Sequence, residues 1–239
     1  MKILLIAGHG QGDPGACGNG YKEADLTREV VTLLNKNLSA YTEVDVFDFN
    51  KDMFQYLKSG NKYPFNNYDY VIEIHFNAFN TQAYGTEVLV HQNEDGVGVE
   101  TAIASNIAKL GFVNRGVKRR GDLRVMNTVK KVYGVSHALI EVCFVDNASD
   151  MQKYAAKKEE IAKAITDGVV QGFNLDGKVI VGKTPIAEVK ELEEINDIVW
   201  ELANRKIISD KDLWLEKLQE DTNAYWLARK AVNYIIKNI

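Results

Sequence analysis

Cysteine is scarce in this chain of 239 residues. Its two cysteines, Cys17 and Cys143, cannot staple a fold of this size and read as free thiols of a reducing compartment. An excess of one charge is missing as well. Lys and Arg total 29 against 33 Asp and Glu, a net charge of −4, which argues against a strongly basic nucleic-acid binder. No apolar run approaches the roughly 18 residues of a spanning helix. The run Met1–Ala7 halts at Gly8-His9-Gly10, short of a signal-peptide core. The expectation is synthesis in the cytoplasm without a signal peptide, with any action outside waiting on release by something else. Internal repeats and low-complexity tracts are absent. What remains is ordinary: 46% hydrophobic and 26% charged residues, which excludes disorder as the main state. The length suits one enzyme-sized domain with a small appendage.

The first two-thirds alternate strand-like and helix-like segments. Lys2–Ala7 is a continuous apolar run ending in glycines, a buried strand that opens into a loop. From Leu26, the residues Val30, Leu34 and Leu38 recur along one helical stripe. Strands are expected at 43–49, 70–76, 86–92 and 137–145, with helices at 99–110 and 156–173. Such alternation predicts an α/β fold, a mixed and largely parallel sheet covered by helices. Residues 174–185 carry turn chemistry, and 175–185 read as a linker. Beyond it, residues 186–239 show helical spacing, as in Leu192, Ile195, Val199 and Leu202, and no strand signal. They are expected to form a small all-helical domain. All three tryptophans, Trp200, Trp214 and Trp226, lie there. Residues 175–239 hold 10 basic and 12 acidic residues, leaving 19 and 21 for residues 1–174, so the tail is no charged arm.

Histidine is scarce too. His9, His75, His91 and His137 are the only four, and no two have the spacing of a helical metal site. A metal centre would have to be assembled from separate strand ends. His9 follows the first strand and His75 lies near the end of another, at the edge where open α/β sheets build their sites. Glu23 sits at or near the start of the helix that carries the Leu26 stripe. It reads either as a first-turn carboxylate favoured by the helix dipole or as a ligand delivered beside His9. Glu141 interrupts Ala138-Leu139-Ile140-Glu141-Val142-Cys143-Phe144, where a carboxylate needs a partner or a task, and so is a general acid/base candidate. Gly10-Gln11-Gly12-Asp13-Pro14-Gly15 matches the dinucleotide pattern G-x-G-x-x-G. No helix opens at Gly15, however, and no Walker lysine followed by Ser or Thr is present. His91 reads as strand-end surface and His137 as structural.

Taken together, Gly8-His9-Gly10-x-Gly12-Asp13-x-Gly15-Ala16 with Glu23, Ile74-His75-Phe76-Asn77-Ala78, and Leu139-Ile140-Glu141-Val142-Cys143-Phe144-Val145-Asp146-Asn147 resemble the three motifs of the type-3 zinc-dependent N-acetylmuramoyl-L-alanine amidases. Asn114-Arg115-Gly116 and Leu123-Arg124-Val125 are similar to the segment between the second and third. The resemblance covers residues 1–174 and is nearest to the bacteriophage endolysin branch. It implies a peptidoglycan hydrolase that cuts the amide between the lactyl group of N-acetylmuramic acid and L-alanine. His9, Glu23 and His75 would bind zinc, and Glu141 would be the catalytic acid/base. Asn77 is a candidate substrate contact. Glu73, two residues from His75 and so on the same strand face, stands where many members have a small polar residue. It could orient a ligand from behind, and it leaves two carboxylates to choose between as ligand.

The same resemblance makes bacterial peptidoglycan the partner, and places the action at the cell wall after release from the host cytoplasm. Residues 186–239 stand where endolysins carry a wall-binding module. Their tryptophans would serve as core or as a sugar-stacking surface, and the helices could also support self-association. Within enzymes the alternative is a zinc peptidase of the stem peptide. Outside enzymes it is a glycan-binding protein without catalysis.

Overall fold

In β1 (Lys2–Ala7) five consecutive residues, Ile3 to Ala7, are buried. Such a run suits only a strand covered on both faces. The computed structural model describes residues 1–10 and 12–175. The expected linker and C-terminal helical domain fall almost wholly outside the described residues.

After β1 come a short hairpin of β2 (Cys17–Gly18) and β3 (Tyr21–Lys22), then α1 (Glu23–Leu38), β4 (Glu43–Val46) and α2 (Met53–Lys58). They are followed by β5 (Tyr70–Asn77), β6 (Thr86–His91), α3 (Gly98–Ala108), β7 (Asn114–Arg120), α4 (Arg124–Asn127), β8 (Ser136–Phe144) and α5 (Ala148–Phe173). Six strands form one sheet in the order β4-β1-β5-β8-β6-β7. Only the β6–β8 pairing is antiparallel; the other four pairings are parallel. The expected mixed, largely parallel sheet is therefore present.

The sheet divides its work between its faces. On one, Ile3, Leu5, Ile72, Ile74 and Ile140 pack with α1, α3 and α5 in a largely apolar layer. On the other, Leu4, Ile6 and Val71 pack against Met53 and Leu57 of α2 and Val125 of α4. The second layer is thinner, and along β5 and β8 it gives way to Glu73, His75, His137 and Glu141. The chain leaves β1 through α1 on the first face to reach β4. It returns through α2 on the second face to reach β5, which lies on the other side of β1. The carboxyl ends of β1 and β5 therefore flank a topological switch point, the usual location of a crevice in such sheets.

Several boundaries differ from expectation. The strand expected at 43–49 stops at Val46, although Phe47 still donates its N–H to Leu5. The helix expected from 156 begins at Ala148, where the Asn147 side chain caps it, and Lys157 kinks it (φ −137°). The kink hides the polar first half from any single apolar stripe. β7, α2 and α4 were not expected at all. Cys17 is exposed and Cys143 buried, both free as expected. Among the described residues no helix is long and apolar enough to cross a membrane.

Candidate metal centre and acid/base site

Three elements deliver the donor groups. His9 sits two residues past the end of β1, Glu23 is the first residue of α1, and His75 is on β5 near its carboxyl end. One ligand atom from each lies within 4.8 Å of the others. Glu23 stands between the imidazoles. Its Oε2 is 3.1 Å from His9 Nε2 and its Oε1 is 2.9 Å from His75 Nδ1. Backbone N–H groups of Ala16 and Phe76 also donate to it, each at 2.9 Å. Burial opposes ionisation of Glu23, but the hydrogen bonds from His75 and His9 outweigh it and hold its pKa well below the ordinary range.

The loop that places His9 is built for close approach. His9 itself lies in the left-handed region (φ 61°), a conformation that surrounding contacts must enforce. Arg28 supplies them from α1, with Nη1 donating to Gly8 O at 3.2 Å and Nη2 to His9 O at 3.0 Å. Thr27 Oγ1 donates to Gly8 O at 2.9 Å. Gly15 is equally constrained: its φ is +65°, and a Cβ there would come within 2.7 Å of His9 Cδ2 and 2.8 Å of Glu23. Asp13 Oδ2 lies 3.0 Å from His9 Nδ1 and turns Nε2 towards Glu23. Asp13 was visible in the opening motif but had no assigned task.

The donor set suits a metal. Two imidazole nitrogens and one carboxylate, with further room on the open side, form the three-ligand pattern of hydrolytic zinc sites. The geometry also separates the two candidate carboxylates. Glu73 lies at the opposite edge of the His75 ring, its Oε1 3.2 Å from Nε2. It is absent from the cluster that could hold an ion.

Glu141 pairs in register with His75 across β5 and β8, on the same face of the sheet. Its Oε2 is shut off from water without a hydrogen-bond partner. Burial pushes the Glu141 carboxyl up to about 7; His75 pulls it down, and Glu23, Glu87 and Glu73 push it further up. A buried carboxyl held near neutrality is suited to accept and return a proton. Glu87, opposite Glu141 on β6, is by contrast held ionised: burial opposes this, but Lys118 and Arg115 outweigh it.

Asn77 lies one residue beyond Phe76, whose N–H binds Glu23, and its own Nδ2 donates to Glu87 Oε1 at 3.1 Å. His91 corrects the expectation of a surface residue. It is wholly buried, its Nε2 3.1 Å from Asn127 Oδ1 and its Nδ1 accepting from Asn93 N at 3.0 Å. α4, which the sequence did not announce, covers it. His137 is also wholly buried. A cleft of about 740 Å³ opens over the cluster, lined by His9, His75 and Glu73 on the sheet side and by Phe54 and Arg124 on the helical side.

Comparison with known proteins decides the family. Residues 3–171 match the family described as N-acetylmuramoyl-L-alanine amidase. The chain belongs to the N-acetylmuramoyl-L-alanine amidase family. It is 29% identical over 201 residues to the probable autolysin PH of Staphylococcus aureus, an alignment covering 74% of this chain and 40% of that protein. The chain thus spans well under half of that relative's length. It is 26% identical over 242 residues to the endolysin of Bacillus phage SPP1, covering 90% of this chain and 88% of that protein. Among solved structures it resembles the catalytic domain of CD27L endolysin targeting Clostridia Difficile (TM-score 0.61, 29% identity), over 72% of this chain and 97% of that one. The amidase-family region coincides with the described sheet and helices.

Proposed function

We propose that this chain is a zinc-dependent peptidoglycan amidase, cleaving the bond between the lactyl group of N-acetylmuramic acid and L-alanine of the stem peptide, and that it acts as a phage endolysin. One observation carries the reading. The His9–Glu23–His75 donor set has beside it a buried, unpartnered carboxyl on Glu141, in register with His75 on the adjacent parallel strand. Zinc held by His9, Glu23 and His75 would supply a Lewis acid that acidifies water and polarises the amide carbonyl.

The remaining work falls to the chain. Glu141 Oε2, lacking any internal partner, is free to accept a proton from the attacking water. It would then return that proton to the departing amine of L-alanine, which cannot leave as an anion. Asn77, Arg115 and Lys118 hold Glu87 in place beside it, so the wall of the site is fixed before substrate arrives. Family membership supports the substrate class. The SPP1 alignment runs over more of the chain than the described domain occupies, and that supports the endolysin reading.

The test is digestion of purified peptidoglycan by the zinc-supplemented full chain, with labelling of newly released amino groups. L-Alanine amino termini should appear, and Glu141→Ala should keep its zinc and release none. A different new amine would point instead to a peptidase of the stem peptide. Wall binding without any new amine would point to a glycan-binding protein.

A further inference from the structure

We propose that Glu73 and His137 form a buried positioning pair that fixes which edge of His75 faces the metal. The proposal rests on the metal site proposed above. The alternation of β5 places Glu73 and His75 on one face. The two nitrogens of His75 then meet two different carboxylates, Nδ1 facing Glu23 Oε1 at 2.9 Å and Nε2 facing Glu73 Oε1 at 3.2 Å. His75 would hold an ion shared with Glu23 and His9 through Nδ1, the nitrogen that faces Glu23. With Nε2–H donating to Glu73, the imidazole keeps its proton away from the metal and presents the Nδ1 lone pair. The carboxylate behind it also makes the ring a stronger donor.

His137 extends this arrangement one pair further into the sheet. It pairs in register with Val71, on the same face as Glu73. Its Nε2 stands 3.0 Å from Glu73 Oε2, and the side chain is wholly inaccessible. Glu73 therefore has an imidazole nitrogen beside each oxygen: Nε2 of His75 is in hydrogen-bond contact with Oε1, and Nε2 of His137 lies against Oε2 at ion-pair distance without hydrogen-bond alignment. A glutamate in mid-strand is an expensive choice for packing alone. A buried charge is unfavourable until its partners offset it, and an apolar residue would fill the space without that penalty. Orienting His75 is the task that accounts for a carboxylate at this position.

The experiment measures zinc affinity by competition with a chromogenic chelator on the full-length protein. Parent, Glu73→Ala, Glu73→Gln and His137→Phe are compared, and the zinc-loaded parent is examined by ¹⁵N–¹H correlation of its imidazoles. Glu73→Ala should bind zinc about 10–100-fold more weakly. Glu73→Gln, which keeps an oxygen to accept from Nε2–H, should recover much of the loss, and His137→Phe should fall between. A residue serving only the fold would lower the melting temperature without this ordering. In the loaded parent the His75 proton should be on Nε2. If Glu73→Ala does not fold, that spectrum and Glu73→Gln decide the matter. A His75 proton on Nδ1, or a Glu73→Ala affinity within about twofold of the parent, would overturn the pairing while leaving the metal site standing. A parent that binds no zinc would overturn both, and is recognised first because the parent is measured before the variants.

Discussion

The carboxyl of Glu141 should make the metal-free protein less stable than it could be, and removing its charge should reveal this. Its pKa is about 7 in the fold against an ordinary 4.5. A group with a raised folded pKa favours the folded state when protonated and disfavours it when ionised. Below about pH 4 both states hold the proton and there is no penalty. Between the two values the unfolded chain ionises first and draws the equilibrium towards unfolding, and above about pH 7 the penalty is constant. The ceiling is about 3 kcal/mol at 1.36 kcal/mol per pKa unit. Glu141 keeps some solvent contact, and a glutamine amide there would still lack a partner for one of its atoms, so the expected net gain is about 1–2 kcal/mol. Glu141→Gln should then be inactive yet more stable than the parent at pH 8, and no more stable at pH 4. The assay is urea-dependent hydrogen exchange of the chelated full chain, read on peptides from β5 and β8 so that residues beyond 175 do not enter. A variant less stable than the parent at pH 8, with a difference that does not change as pH falls, would refute the reasoning.

Three further outcomes are expected. Gly8→Ala would place a Cβ within 2.4 Å of His75 Cε1; the displaced ring should weaken zinc binding, and the crowding should cost about 1–3 kcal/mol by thermal melting. Asp150 is wholly buried and accepts from Gly85 N at 2.7 Å and Phe144 N at 3.2 Å, joining the start of β6 to the end of β8. Asp150→Ala should cost about 2–4 kcal/mol in denaturant unfolding, and an unchanged midpoint would show that these bonds are replaced by water. Zinc at about a thousandfold excess over its dissociation constant should stabilise the fold by about 4 kcal/mol relative to chelated protein, and a chelator-indifferent melting curve would count against the site.

How much of this was legible beforehand depended on where the deciding contact lies. β1, β5 and β8 announce themselves because each is apolar for most of its length, as only a strand buried on both faces can be. The same runs make their polar interruptions conspicuous, which is why His75 and Glu141 could be singled out. β7, Asn-Arg-Gly-Val-Lys-Arg-Arg, has no strand signature. It is an edge strand, where charge keeps other chains from adding on, and its register is supplied by β6 rather than by its own sequence. α2 and α4 span six and four residues, too few for a helical period to be seen. His91 was misplaced for the same reason, since the element that buries it is the one that could not be read. The Glu73–His137 contact joins residues 64 positions apart through strand pairing, and no local pattern encodes it.

The position of the site follows from the connection made after β1. Because α1 takes the chain to one side of β1 on one face, and α2 brings it back to the other side on the opposite face, no helix among the described residues crosses the carboxyl ends of β1 and β5. His9 and His75 emerge into that gap, and the first turn of α1 drops Glu23 between them. β8 then adds itself parallel to β5, which puts Glu141 level with His75. β6 runs the other way and sets Glu87, held ionised by Arg115 and Lys118, opposite Glu141. The electrostatic outcome is a carboxyl flanked by negative groups on the side of Glu87 and by the imidazole of His75 on the other. A strand order that exchanged β8 and β6 would keep every side chain of the donor set and still separate Glu141 from His75. The acid/base role proposed for Glu141 therefore belongs to the topology as much as to the residue.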